Sequence, residues 1–134
     1  MIQDDKGYIW LCSNEGIYRF LPDALIKNDS AYQHLNVSGA NSSSDEIHCI
    51  YEDSRHRIWV GTSGYGLFCL DHNGHVTQQF TTKDGLPNNN IQSIIDDANG
   101  HLWVGTDYGL GRYVEKEQRF QAYYCLKLPG NITG

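Results

Sequence analysis

The chain has 134 residues, a formal net charge of −6 and 12% aromatic residues. It has no cluster of Lys and Arg, which excludes the phosphate-tracking face that a nucleic-acid partner needs. No apolar run approaches the roughly 18 residues of a membrane span, so no membrane contact is expected in this segment.

Met1 leads straight into Gln3-Asp4-Asp5-Lys6-Gly7 with no signal peptide, which predicts that it is a truncation start or an internal residue. Alternating apolar residues then predict strands over Tyr8–Ser13 and Gly16–Leu21, separated by Asn14-Glu15. Pro22 to Ser30 reads as a loop with a helical turn after Pro22. Ala31–Val37 is expected to be an outer strand and the polar Ser38–Asp45 a connector. Four strands follow over Ile47–Glu52, Ile58–Thr62, Gly66–Leu70 and His75–Thr81. After the connector Asp84-Gly85-Leu86-Pro87-Asn88-Asn89-Asn90 come four more, over Ile91–Ile95, Leu102–Thr106, Gly109–Val114 and Phe120–Cys125. Leu128–Gly134 echoes Leu86–Asn89 and is expected to lead towards another strand.

Three stretches in this order are alike: Gln3–Phe20, Ile47–Leu70 and Ile91–Tyr113. Trp10, Trp59 and Trp103 anchor them at spacings of 49 and 44 residues. Asp4, Asp53 and Asp97 stand six residues before each Trp, and Gly16-Ile17, Gly66-Leu67 and Gly109-Leu110 follow it. Asp at the first position and Gly at the fourth, as in Asp97-Ala98-Asn99-Gly100, suit a type I turn. A Gly two residues after the Trp on the same face (Gly61, Gly105) is expected to leave room for the indole. A strand-rich unit repeated at about 40 to 50 residues points to propeller blades. One unit cannot bury both faces, so neighbours must stack.

The predicted fold is therefore all-β, a β-propeller fragment of nearly three four-stranded antiparallel blades, the first lacking its inner strand. The units are a partial blade over 1–37, a second blade with its connector over 38–83, a third over 84–127 and a connector over 128–134. Alternation places each Trp between blades, except where a terminal blade has no neighbour. Such an open arc is expected to be stable inside a longer chain or as an oligomer.

At these residues a family resemblance becomes specific. Asp-x-x-Gly-x-Leu-Trp-Val-Gly-Thr-x-x-Gly-Leu, preceded by Asp-Gly-Leu-Pro-Asn-Asn-x-Ile-x-x-Ile, resembles the two-component regulator propeller repeat. The third copy matches almost throughout. The second has His56 where the turn Gly is expected, and the first departs at Cys12-Ser13. The resemblance implies the periplasmic sensor region of a hybrid two-component regulator from Bacteroidetes. It further implies sensing of carbohydrate or oligosaccharide and no catalysis in this portion, with histidine kinase activity in other parts of the parent. The alternatives are a propeller enzyme (lyase or glycosidase) and a purely structural interaction propeller.

The chemical candidates are few. His72-Asn73-Gly74-His75 holds two imidazoles, but Asn-Gly reads as a hairpin turn and no third ligand is near in sequence, so no metal or cofactor is expected. Glu52-Asp53 and Asp96-Asp97 resemble paired carboxylates, yet they recur beside a turn, which points to turn chemistry rather than general acid–base work. His56 and Asp71 are the least repeat-like polar positions. Cys12, Cys49, Cys69 and Cys125 form no CxxC pair and read as small buried thiols. In a propeller the loops joining second to third strands share a rim with the connectors between blades. That rim gathers the candidate ligand-binding residues Tyr65, Asn89, Asn90, Asp107 and Tyr108, together with Asn14-Glu15, and His48 and Gln92 lie near the starts of inner strands. Amides, carboxylates and tyrosines suit a hydroxyl-rich ligand. The expected partners are a carbohydrate and the remaining blades of a parent chain or other copies of this one.

Overall fold

The computed structural model describes residues 1–13, 16–35 and 47–124. They build three four-stranded antiparallel sheets, each a meander whose strands pair in chain order. The first sheet holds β1 (Ile2–Gln3), β2 (Ile9–Ser13), β3 (Gly16–Phe20) and β4 (Gln33–Leu35), with the short helix α1 (Pro22–Lys27) before β4. The second holds β5 (Ile47–Glu52), β6 (Ile58–Thr62), β7 (Leu67–Leu70) and β8 (Val76–Phe80). The third holds β9 (Ile91–Asp96), β10 (Leu102–Thr106), β11 (Gly109–Val114) and β12 (Arg119–Tyr123). Among the described residues no helix is long and apolar enough to cross a membrane. Asn14-Glu15, Ser38–Asp45, Cys125 and Leu128–Gly134 lie outside the described residues.

The expected absence of an inner strand from the first blade is corrected. Ile2 pairs with Trp10 and Gln3 with Ile9, the register that Tyr51 and Glu52 keep with Trp59 and Ile58. The turn at Asp4 decides this: its N–H donates to the Tyr8 carbonyl (2.8 Å) and folds the chain back onto β2. Two residues are too few to show a period, so pattern reading passes over them.

One carboxylate closes each inner hairpin. Asp53 Oδ1 accepts from the N–H groups of Arg55 and Arg57 (both 2.9 Å), and Oδ2 accepts from Trp59 Nε1 at 2.8 Å. Asp4 makes the same three bonds with Lys6, Tyr8 and Trp10, and Asp97 with Asn99, His101 and Trp103. The six-residue spacing is thus the reach of an Asx turn plus the first two strand residues. Asp71 closes the β7–β8 hairpin similarly, accepting from Asn73 and His75 at 2.9 Å, although no Trp follows. Of the carboxylate pairs that looked available for chemistry, Asp53 and Asp97 are committed to turns.

Two cores lie between the sheets. Trp10 and Ile17 pack against Ile50, Ile58, Val60, Phe68 and Leu70 of the second sheet. The opposite face of that sheet, with Trp59, Leu67 and Phe80, packs against Leu102, Val104, Tyr113 and Phe120 of the third. Trp10 and Trp59 are fully buried, whereas Trp103, on the outer face of the third sheet, is half-buried beside Tyr123. The glycine after the Trp has a different purpose from the one expected. A Cβ on Gly61 would meet Cys49 Sγ at 2.7 Å and Ile91 Cβ at 2.9 Å, so it makes room for the next blade rather than for the indole.

Candidate functional site

The edge carrying the β6–β7 and β10–β11 turns is stitched together by the connector before β9. The N–H groups of Gly64 and Gly66 donate to the Asn89 carbonyl (3.1 and 3.0 Å), and Ser63 bridges Asn90. Asn89 Oδ1 accepts from the Thr82 N–H at 3.0 Å, so this side chain holds the connector in shape. A 3₁₀ turn (Thr82–Asp84), closed by a Thr81–Asp84 capping box, completes that connector.

Three candidates converge. Asn90 Nδ2 donates to Asp107 Oδ2 at 2.9 Å, and Gln92 Nε2 donates to Asp107 Oδ1 at 2.6 Å. The Asn90 amide first, then Gln92, holds the Asp107 carboxyl below its ordinary range. His48 Nδ1 donates to the Ile91 carbonyl at 2.9 Å, since a carbonyl can only accept. At this edge stand Tyr65, 46% exposed, and Tyr108, 69% exposed. Their backbones are fixed by the hydroxyls of Thr62 and Thr106, which accept from the Tyr65 and Tyr108 N–H groups and donate back to Gly66 and Gly109. Gln79 was not foreseen: its side-chain amide donates to the Tyr65 carbonyl at 3.0 Å. Its outward place in β8, beside the turn, was the available signal.

Asp107 accepts from two oriented amides, the phenol rings stand in solvent, and the site is an open rim rather than an enclosed pocket. A concavity of about 660 Å³ lies by the opposite edge, between Gln3, Gly7 and the start of α1. The rim sets hydrogen-bonding side chains beside exposed aromatic area. His56 and Asp71 belong to the turns of the opposite edge. His56 takes the left-handed conformation (φ 64°) that Gly occupies in the sister turns.

The two-component regulator propeller model matches residues 41–64 and 85–108. Among curated proteins, none matches the chain. The extracellular domain of a Bacteroides thetaiotaomicron protein described as a one-component system superposes with a TM-score of 0.75 at 20% identity, over 96% of this chain and 18% of that one. PorZ, a surface component of the type-IX secretion system of Porphyromonas gingivalis, gives 0.65 at 30% identity, over 82% of this chain and 16% of PorZ. A structural genomics protein of B. thetaiotaomicron gives 0.55 at 13% identity, over 90% of this chain and 34% of that one. The chain thus spans less than a fifth of the first two. The chain carries the two-component regulator propeller repeat at residues 41–64 and 85–108, within a fold shared with these solved structures.

Proposed function

We propose that the chain is part of the periplasmic sensor region of a hybrid two-component regulator, and that its Tyr65–Tyr108 rim binds a carbohydrate. The observation that carries the second half is the Asp107 cluster. A carboxylate held ionised by two amides, at the same edge as two exposed phenol rings, offers acceptors and flat surface to a hydroxyl-rich ligand. The matched repeat and the extracellular origin of the first solved relative support the first half. Against the enzymatic alternative stands the use of the repeated carboxylates Asp4, Asp53 and Asp97, and of Asp71, to close turns.

The outer face of the third sheet repeats the face that the third sheet itself covers on the second. Trp103, Leu110 and Tyr123 stand there for Trp59, Leu67 and Phe80. A further blade, from a parent chain or another copy, fits that face.

Calorimetric titration of the sensor region with oligosaccharides tests the rim. Tyr65→Ala and Tyr108→Ala are each expected to cost more than about 1 kcal/mol of binding, as truncation of an aromatic anchor does. Unchanged affinity in both variants removes this rim as the site.

A further inference from the structure

The seam between the first two sheets holds a cluster that neither the repeat nor the rim explains. Asp5 comes from the β1–β2 turn, Glu52 from the end of β5 and His72 from the β7–β8 turn. One ligand atom from each lies within 4.8 Å of the other two. Asp5 Oδ1 stands 3.4 Å from His72 Nε2. His56 Nδ1 lies 3.2 Å from Glu52 Oε2 and 3.8 Å from Asp5 Oδ2. His72 Nε2 is shut off from solvent and, among the described residues, makes no hydrogen bond; it faces Asp5 at 3.4 Å.

The sister seam shows what is unusual here. Between the second and third sheets, Ser54, Asp96 and Glu115 occupy the places of Asp5, Glu52 and His72. The backbone frame is common to both: the Ser54 N–H donates to Asp96 at 2.8 Å as the Asp5 N–H does to Glu52 at 3.3 Å. At the sister seam the acids have full partners. Arg57 binds Glu115 at 2.7 Å, Arg55 stands 3.7 Å from it, and the Tyr51 hydroxyl binds Asp96. At the first seam Tyr8 replaces Arg57 and Ile2 replaces Tyr51. Among the described residues the ion pairs of Asp5 and Glu52 are all with imidazoles.

We propose that Asp5, Glu52 and His72 bind a divalent transition metal of the zinc class, with His56 in reach as a fourth ligand. Bonds near 2.1 Å in a tetrahedral centre place ligand atoms about 3.4 Å apart, which is the spacing of Asp5 and His72. Mixed imidazole and carboxylate donors suit zinc, cobalt or nickel better than calcium or magnesium. Such an ion supplies the positive charge that arginine supplies at the sister seam, and it ties the first sheet to the second.

The test is titration of chelator-treated protein with zinc chloride, read by calorimetry and thermal unfolding, and with cobalt chloride, read by visible absorption. One equivalent of zinc is expected to raise the midpoint of unfolding, and cobalt to show the intense bands of a tetrahedral centre. His72→Ala and Asp5→Asn, both on surface turns, are each expected to weaken zinc by at least about tenfold. His75→Ala is the control: it shares the hairpin with His72 but lies beside Asp71 at 3.5 Å, and its zinc response should equal the wild type's. No zinc response in the wild type, or an undiminished one in His72→Ala, overturns the proposal. So does a response lost in His75→Ala.

Discussion

Replacing Asp53 with Ala tests the claim that a single carboxylate holds each hairpin. The residue is 5% exposed, and its carboxylate receives the Arg55 and Arg57 N–H groups, the Arg57 Nε–H and the Trp59 indole N–H. Trp59 is fully buried, so its Nε1 would lose its partner without reaching water, at a cost of about 1–3 kcal/mol. The two turn N–H groups are partly buried and regain water, so each loses only the net value of a hydrogen bond, about 0.5–1.5 kcal/mol. The Arg57 guanidinium keeps Glu115. The total is about 2–6 kcal/mol, a large share of the roughly 5–15 kcal/mol that holds a domain together. Urea unfolding followed by far-UV circular dichroism and tryptophan fluorescence measures it. Asp97→Ala is the internal comparison, because Trp103 borders solvent and its indole N–H can be hydrated; its cost should be clearly smaller. Equal costs for the two variants would refute the reasoning, as would an Asp53→Ala protein within about 0.5 kcal/mol of wild type, the usual scatter of surface changes.

Gly61→Ala should destabilise by about 1–3 kcal/mol in the same assay, because the new methyl meets Ile91 and Cys49 together. Gly105→Ala, which meets only the rotatable Ser93 hydroxyl, should cost less. Burial pushes the Cys49 thiol up to about 11, so iodoacetamide at pH 8 should leave it unmodified in the native protein and label it after unfolding, as peptide mass spectrometry would show. The Trp103 indole N–H, followed by the His101 N–H, holds the Asp97 carboxyl below its ordinary range. A depressed folded value means stability present above the unfolded carboxylate range, near pH 4, and lost as pH falls through the folded value. Acid unfolding should therefore be less steep in Asp97→Ala, and an unchanged profile would count against the indole bond.

Local chemistry repeated three times made the fold legible in the sequence. The Asp-to-Trp spacing, the Gly-Leu turns and the period-2 strands each depend on contacts within one hairpin, which residues close in the chain decide. The rim was legible for the same reason, since the meander alone dictates which loops share an edge. What lay beyond reach were relations between blades. Two residues, Ile2 and Gln3, carry no period, and only their register against Ile9 and Trp10 shows them to be a strand. Gly61 looked like space for its own indole, yet it is Ile91 of the next blade that fills it. His72 had no third ligand near in sequence because Asp5 reaches it across the seam between two sheets and Glu52 from the far side of β6 in its own sheet, relations no local pattern describes. Strand pairing within one sheet and stacking between two bring to His72 residues about 20 and 67 positions away, and no propensity or period carries information over such separations.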